Sequence, residues 1–134
     1  MFGSLDISTS ALVAQRTRMD VISANIANQH SILDADGNYA PFRRRIAVFA
    51  PGDSATGNDK GVHVSEIMLD PAPLRKVYEP GHPLADADGN VEYPNVDPMM
   101  EMVSAMEATR AYEANITAAE ATKSMIDAAL RLLA

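Results

Sequence analysis

The chain contains no cysteine and no tryptophan, and aromatic residues make up only 5% of its 134 positions. Lack of cysteine excludes disulfides, thiolate metal sites and a cysteine nucleophile. Scarce aromatics leave out the large anchors that dominate most enzyme cores. Alanine and eight methionines stand in their place, and methionine packs adaptably against varied neighbours. A basic face is also missing: the formal net charge is -7, which argues against a nucleic-acid partner. Long apolar runs are absent too. Near the N-terminus the longest is Ala11-Leu12-Val13-Ala14, too short for a signal-peptide core. No stretch approaches the roughly 20 apolar residues of a membrane span. The expectation is a chain that does not insert in a membrane and stays in the cytoplasm unless a dedicated export machine moves it.

What is present is sharply partitioned. All eight prolines fall from Pro41 to Pro98, and Gly3 is the only glycine outside residues 34–97. Three regions follow: 1–33 with a helix over 4–30, a turn-rich insert over 34–97, and a long C-terminal helix over 98–134. The predicted fold is mainly α with a small β-rich insert, the two terminal helices pairing as a coiled-coil-like hairpin.

Leu5, Leu12, Met19 and Ile26 recur every seven residues, with Ile22 beside them, while Ser8 and Gln15 are polar intruders on the same seam. Asn25 and Asn28 follow within one turn, and Asn28 suits the helix stop. In the second helix Asp97-Pro98 reads as N-cap and first helical residue. Ala105, Tyr112, Ala119, Ile126 and Leu133 form one heptad series; Met102, Thr109, Ile116, Lys123 and Leu130 form another. Met99, Met100, Met102 and Met106 cluster near its start. A helix of this length reaches roughly 54 Å, against a radius of gyration near ~14 Å for a compact chain of this size. It must project, and its seams need partners. The same alanines also satisfy plain helix propensity.

Within the insert, Phe42–Phe49, Val62–Leu69 and Leu74–Tyr78 read as strands, separated by turn signals that include Pro51-Gly52, Thr56-Gly57-Asn58 and Pro80-Gly81. Asp34-Ala35-Asp36-Gly37-Asn38 recurs as Asp86-Ala87-Asp88-Gly89-Asn90. Asp-Gly favours tight turns, and the repeats lack the ligand spacing of a calcium loop, so both read as turns rather than cation sites. No metal or cofactor is expected. His63 and Ser65 share one side of a strand and are the weak catalytic candidates; surface roles fit them better. Arg43-Arg44-Arg45 is the one basic run and alternates across a strand. It reads either as a solvated strand or as a contact for an acidic neighbour.

The run Asn25-Ile26-Ala27-Asn28 closing the first helix resembles the signature of flagellar axial proteins, the rod and hook family. A second block runs from Asp88 through Tyr93-Pro94-Asn95-Val96-Asp97 and Met100-Glu101-Met102-Val103. It continues through Ala111-Tyr112-Glu113-Ala114-Asn115 to Thr122-Lys123-Ser124-Met125. This block is similar to the C-terminal half of FlgC-type rod proteins, and the small insert matches them. The continuation Gln29-His30-Ser31 departs from the family pattern, and Ala55–Lys60 has no recognisable match.

The resemblance implies a non-enzymatic subunit of the proximal rod in the periplasm. It would be exported without a cleaved signal by the flagellar type III apparatus and joined there to other copies and other rod proteins in a torque-transmitting tube. The expected assembly residues are Leu5, Leu12, Met19, Ile22, Asn25, Ile26, Asn28, Met102, Met106, Tyr112, Ile116, Ala119, Ile126, Leu130 and Leu133. The competing readings are another axial subunit and a cation-binding regulatory module.

Overall fold

The computed structural model describes residues 2–53 and 57–134. Six elements follow one another: α1 (Phe2–Ala27), β1 (Arg45–Asp53), β2 (Asn58–Leu69), β3 (Arg75–Tyr78), β4 (Asn90–Tyr93) and α2 (Pro98–Leu133). The mainly helical architecture with a small β insert agrees with the sequence reading. Two details differ. The first strand begins at Arg45 rather than Phe42, because Arg44 N–H is taken by the Asn95 side chain at 2.8 Å. The fourth strand, Asn90–Tyr93, was not anticipated. Thr56, the first residue of the anticipated turn at 56–58, lies outside the described residues.

Helix α2 starts where its sequence dictates. The Asp97 side chain accepts from Met99 N–H at 3.0 Å, and Pro98 stands at a first-turn position that needs no donor. At the other end, α1 stops at Ala27, and the Asn28 side chain donates to Ala24 O at 2.8 Å. The same carbonyl accepts from Asn28 N–H at 3.1 Å, so the backbone and side chain of Asn28 both close on the last turn.

The two helices pack antiparallel. Asn25 meets Glu101 at 3.2 Å, Arg18 meets Glu107 at 3.3 Å, and Thr109 Oγ1 lies 3.8 Å from Met19 Sδ. With 26 residues in α1 and 36 in α2, the lengths are about 39 and 54 Å, so α2 projects past α1 by roughly two to three turns.

Strands β1 and β2 form an antiparallel hairpin, Arg45 opposite Leu69 and Pro51 opposite Val62, with register shifts between Val48 and Phe49 and between Pro51 and Asp53. The hairpin lies against α1. Gly61 makes this possible. Its φ is +88°, and a Cβ there would stand 2.6 Å from Ser10 Oγ. Ser10 Oγ in turn accepts from Val62 N–H at 3.1 Å. Gly61→Val is therefore expected to lift the hairpin off α1 and cost about 1–3 kcal/mol from backbone strain and overpacking. Urea unfolding followed by circular dichroism measures it.

The repeated pentapeptide builds the same turn twice. Asp34 Oδ1 accepts from Asp36 N–H and Asn38 N–H, and Asp86 Oδ1 accepts from Asp88 N–H and Asn90 N–H. Gly37 and Gly89 sit at φ 81° and 79°. The second turn lies in the β3–β4 connection. The first seats Tyr39 beside β4, where its hydroxyl accepts from Glu92 N–H at 2.9 Å.

Candidate assembly site

Where the helices, the hairpin and the Asp70 loop converge, the side chains are polar and buried. Asn25 of α1 is 0% exposed. Its oxygen accepts from Arg45 N–H at 3.0 Å, and its amide donates to Arg45 O at 2.9 Å and to Glu101 Oε2 at 3.2 Å. One side chain thus pairs both backbone groups of the first β1 residue and a carboxylate of α2. Glu101 is also 0% exposed; its other oxygen accepts from Arg44 Nε. Arg44 continues to Asp70 Oδ2 at 3.1 Å. Asn95 closes the ring, accepting from Arg44 N–H and donating to Ala72 O at 3.0 Å.

The electrostatics follow from this geometry. Desolvation works against the Arg44 charge, but the Glu101 and Asp70 carboxylates outweigh it and hold the guanidinium above its ordinary value. The Ala72 N–H, followed by Arg44 and Arg43, outweighs burial and keeps the Asp70 carboxyl below the usual carboxylate range. The stability Asp70 contributes is thus present at neutral pH and is lost only as pH falls through that lowered value. Arg43 donates to Asp70 O and Ala72 O, and Arg45 lies over the Phe42 ring, 5.3 Å from its centroid. Within the basic run, Arg44 finds its acidic partners in its own chain, while Arg45 is exposed to solvent.

Next to this joint, the buried residues of α1 and α2 are mostly small or polar. Ala14, Ile22, Ala108, Ser8 and Thr122 are buried, and Gln15 Oε1 is buried without a hydrogen-bond partner. Of the anticipated assembly residues, Ile22 and Asn25 are buried inside the chain, while Leu5, Leu12, Met19, Ile26, Asn28, Tyr112, Ala119 and Ile126 are half-buried. Met102, Met106, Ile116, Leu130 and Leu133 face outward. The heptad series through Met102 and Leu130 is thus largely exposed and touches α1 at Thr109. The series through Glu101, Ala108 and Thr122 is the buried one, and hydrophobicity alone could not have singled it out.

The outward face is extensive. Met99, Met100, Val103 and Met125 join the residues just named, and the projecting end carries Leu132 and Leu133 at 87% and 84% exposure. No helix among the described residues is long and apolar enough to cross a membrane, so the stripe is not a membrane span.

The weak catalytic pair is spent elsewhere. His63 Nδ1 donates to Gly52 O at 2.8 Å and Ser65 Oγ donates to Val48 O at 3.2 Å. The cleft beside His63 is lined by Ser10, Val13, Ala14, Thr17, Val62 and Val64, without Ser65 or a carboxylate.

Comparison with known proteins places these features. The family described as "Flagella basal body rod protein" matches residues 5–29, most of α1. The family described as "Flagellar basal body rod FlgEFG protein C-terminal" matches residues 87–132, from the second turn through α2. The chain is 43% identical to the flagellar basal-body rod protein FlgC of Bacillus subtilis, over 98% of this chain and 97% of that one. To the FlgC of Salmonella typhimurium it is 47% identical over 90% and 89%. To that of Borreliella burgdorferi it is 39% identical over 99% and 97%.

Proposed function

The chain belongs to the FlgC family of flagellar basal-body rod proteins and is a structural subunit of the rod, assembling with other rod components; we propose that it does so through the terminal helices, as part of the proximal rod. The observation that carries this reading is the apolar face of α2. Leu130 is 59% exposed and Met102 57%, on a helix whose last turns have no α1 beside them. Exposed apolar area of this extent marks an interaction surface. Copies of this chain and other rod proteins cover it, and the covered helices form the wall of a tube that carries torque. The insert over 34–97 acts as a separate module clamped to the helix pair at the Asn25–Glu101 joint. The protein works by assembly rather than by catalysis, without metal or cofactor.

Export through the flagellar type III apparatus, without a cleaved signal, and assembly in the periplasm complete the proposal. The composition of the seam supports it. Ser8, Gln15 and Thr122 stand where a stable coiled coil would place Leu or Ile, so the helix pair is held loosely away from the joint and unfolds readily. Hydrogen exchange on dilute protein tests this. Protection is expected to be strongest in the insert and in the turns of α1 and α2 next to Asn25 and Glu101. It is expected to fall off toward residues 4–12 and 118–133. Uniform strong protection along both helices of a demonstrated monomer would contradict it.

A further inference from the structure

We infer that Asp36-Gly37 is a site of spontaneous backbone modification, where the aspartate converts through a cyclic imide to isoaspartate, and that its twin Asp88-Gly89 is shielded from the same reaction by its packing. The inference is independent of the assembly proposal.

In the chemistry, the Gly37 amide nitrogen attacks the side-chain carboxyl carbon of Asp36 in its protonated form. An N–C bond forms, the carboxyl C–OH bond breaks, and one water leaves with the hydroxyl and the amide proton. A water then adds to the former main-chain carbonyl and breaks its bond to nitrogen, so that the chain runs on through the side chain of Asp36. The water lost is regained, mass is unchanged, and no oxidant, reductant or enzyme takes part. Glycine after aspartate favours attack because no Cβ hinders the nitrogen.

Two features of the first turn leave it open to this step. Asp36 and Gly37 are both exposed, whereas in the second turn Asp88 is exposed but Gly89 is half-buried, and apart from its own chain neighbours no heavy atom lies within 4 Å of the position a Gly37 Cβ would take. What holds the nitrogen back is the bond from Gly37 N–H to Asp34 O at 3.1 Å, in a short turn near the surface. The second turn has the same inner bond, Gly89 N–H to Asp86 O at 3.0 Å, and one more: Gly89 O accepts from Glu79 N–H at 2.9 Å. A Cβ at Gly89 would lie 3.0 Å from the Tyr78 ring and 3.2 Å from Pro80 Cβ. Opening the second turn therefore requires pulling β4 from its connection to β3.

Isoaspartate at Asp36 would have a local consequence. The extra backbone carbon separates the two amides that Asp34 holds together and disturbs the Leu33–Tyr39 bridge. Tyr39 would then lose its seat on Glu92.

The identical pentapeptides provide an internal control. The full-length protein is aged at neutral pH and physiological temperature, once folded and once in urea. Isoaspartate at each site is quantified by peptide mapping with electron-transfer fragmentation, and total isoaspartate by methylation with an isoaspartyl methyltransferase. The quantity read is the Asp36 to Asp88 rate ratio in the folded protein divided by that in urea. It is expected to be about tenfold, which corresponds to ~1.4 kcal/mol of extra opening cost at the second turn. Asp36→Ser is expected to remove most of the methylation signal of the folded protein. A ratio near or below unity, or no isoaspartate at Asp36 in folded protein that forms it in urea, overturns the inference.

Discussion

Arg44→Met is expected to destabilise the folded chain by about 3–5 kcal/mol, more than Glu101→Gln, although Glu101 is the more buried of the two. The asymmetry comes from what each change leaves behind. Without Arg44, the Glu101 carboxylate stays at 0% exposure with only the Asn25 amide as a donor, an uncompensated charge out of water. Without the Glu101 charge, Arg44 still reaches Asp70 and keeps part of its side chain in solvent. The double change Arg44→Met with Glu101→Met is expected to recover a substantial part of the loss, since no charge then remains stranded. Small domains are stable by only about 5–15 kcal/mol, so the single Arg44 variant is expected to lose the clamp between insert and helices and to fail in motility. Urea unfolding of the four proteins reads the energies. Equal losses for the two single changes, or no recovery in the double, would show that the joint is not held by this pair.

The second large effect falls on assembly and spares the fold. Leu130→Asp and Ile116→Asp replace side chains that are 59% and 36% exposed, so neither is expected to change the unfolding midpoint of the free subunit by more than about 0.5 kcal/mol. In the rod the same carboxylates would be buried without a partner, at a cost of several kcal/mol per subunit, repeated at every copy. Cells expressing either variant at normal level are expected to be non-motile and to lack complete rods. Normal motility with both would remove these positions from the interface.

Much of this architecture was legible locally. Asp97-Pro98 marked the start of α2 because a cap and a first-turn proline act within one turn. The Asp-Ala-Asp-Gly-Asn repeats announced turns because aspartate bonds its own backbone two and four residues on. The joint was not legible, since it assembles Asn25, Arg44, Asp70, Asn95 and Glu101 from five separate stretches. Asn25, Asn95 and Glu101 stand in the blocks that resemble the family, yet nothing in their spacing says that they meet. Only part of the helix seam is legible from its heptads, for a related reason. A search for apolar heptads finds Met102, Ile116 and Leu130, whereas the chain buries Ala108 and Thr122 against α1 and turns much of the apolar series outward. In a chain that folds alone this arrangement would be wasteful; in a subunit that is completed by its neighbours it is expected. Strand β4 escaped because four residues with a central Glu92 carry too little alternation to signal a strand.

The central claim, that neighbouring subunits cover the outer face of α2, can be tested directly because the natural chain has no cysteine and any introduced thiol reports alone. Single cysteines at Ile116 and Leu130 are treated with a maleimide in the free subunit and in purified basal bodies, with Ala108, buried in the seam, as the control that stays unlabelled in the folded subunit. Rapid labelling of both outer positions in the free protein and strong protection in basal bodies is the predicted result. Labelling at the same rate in both states would contradict the account.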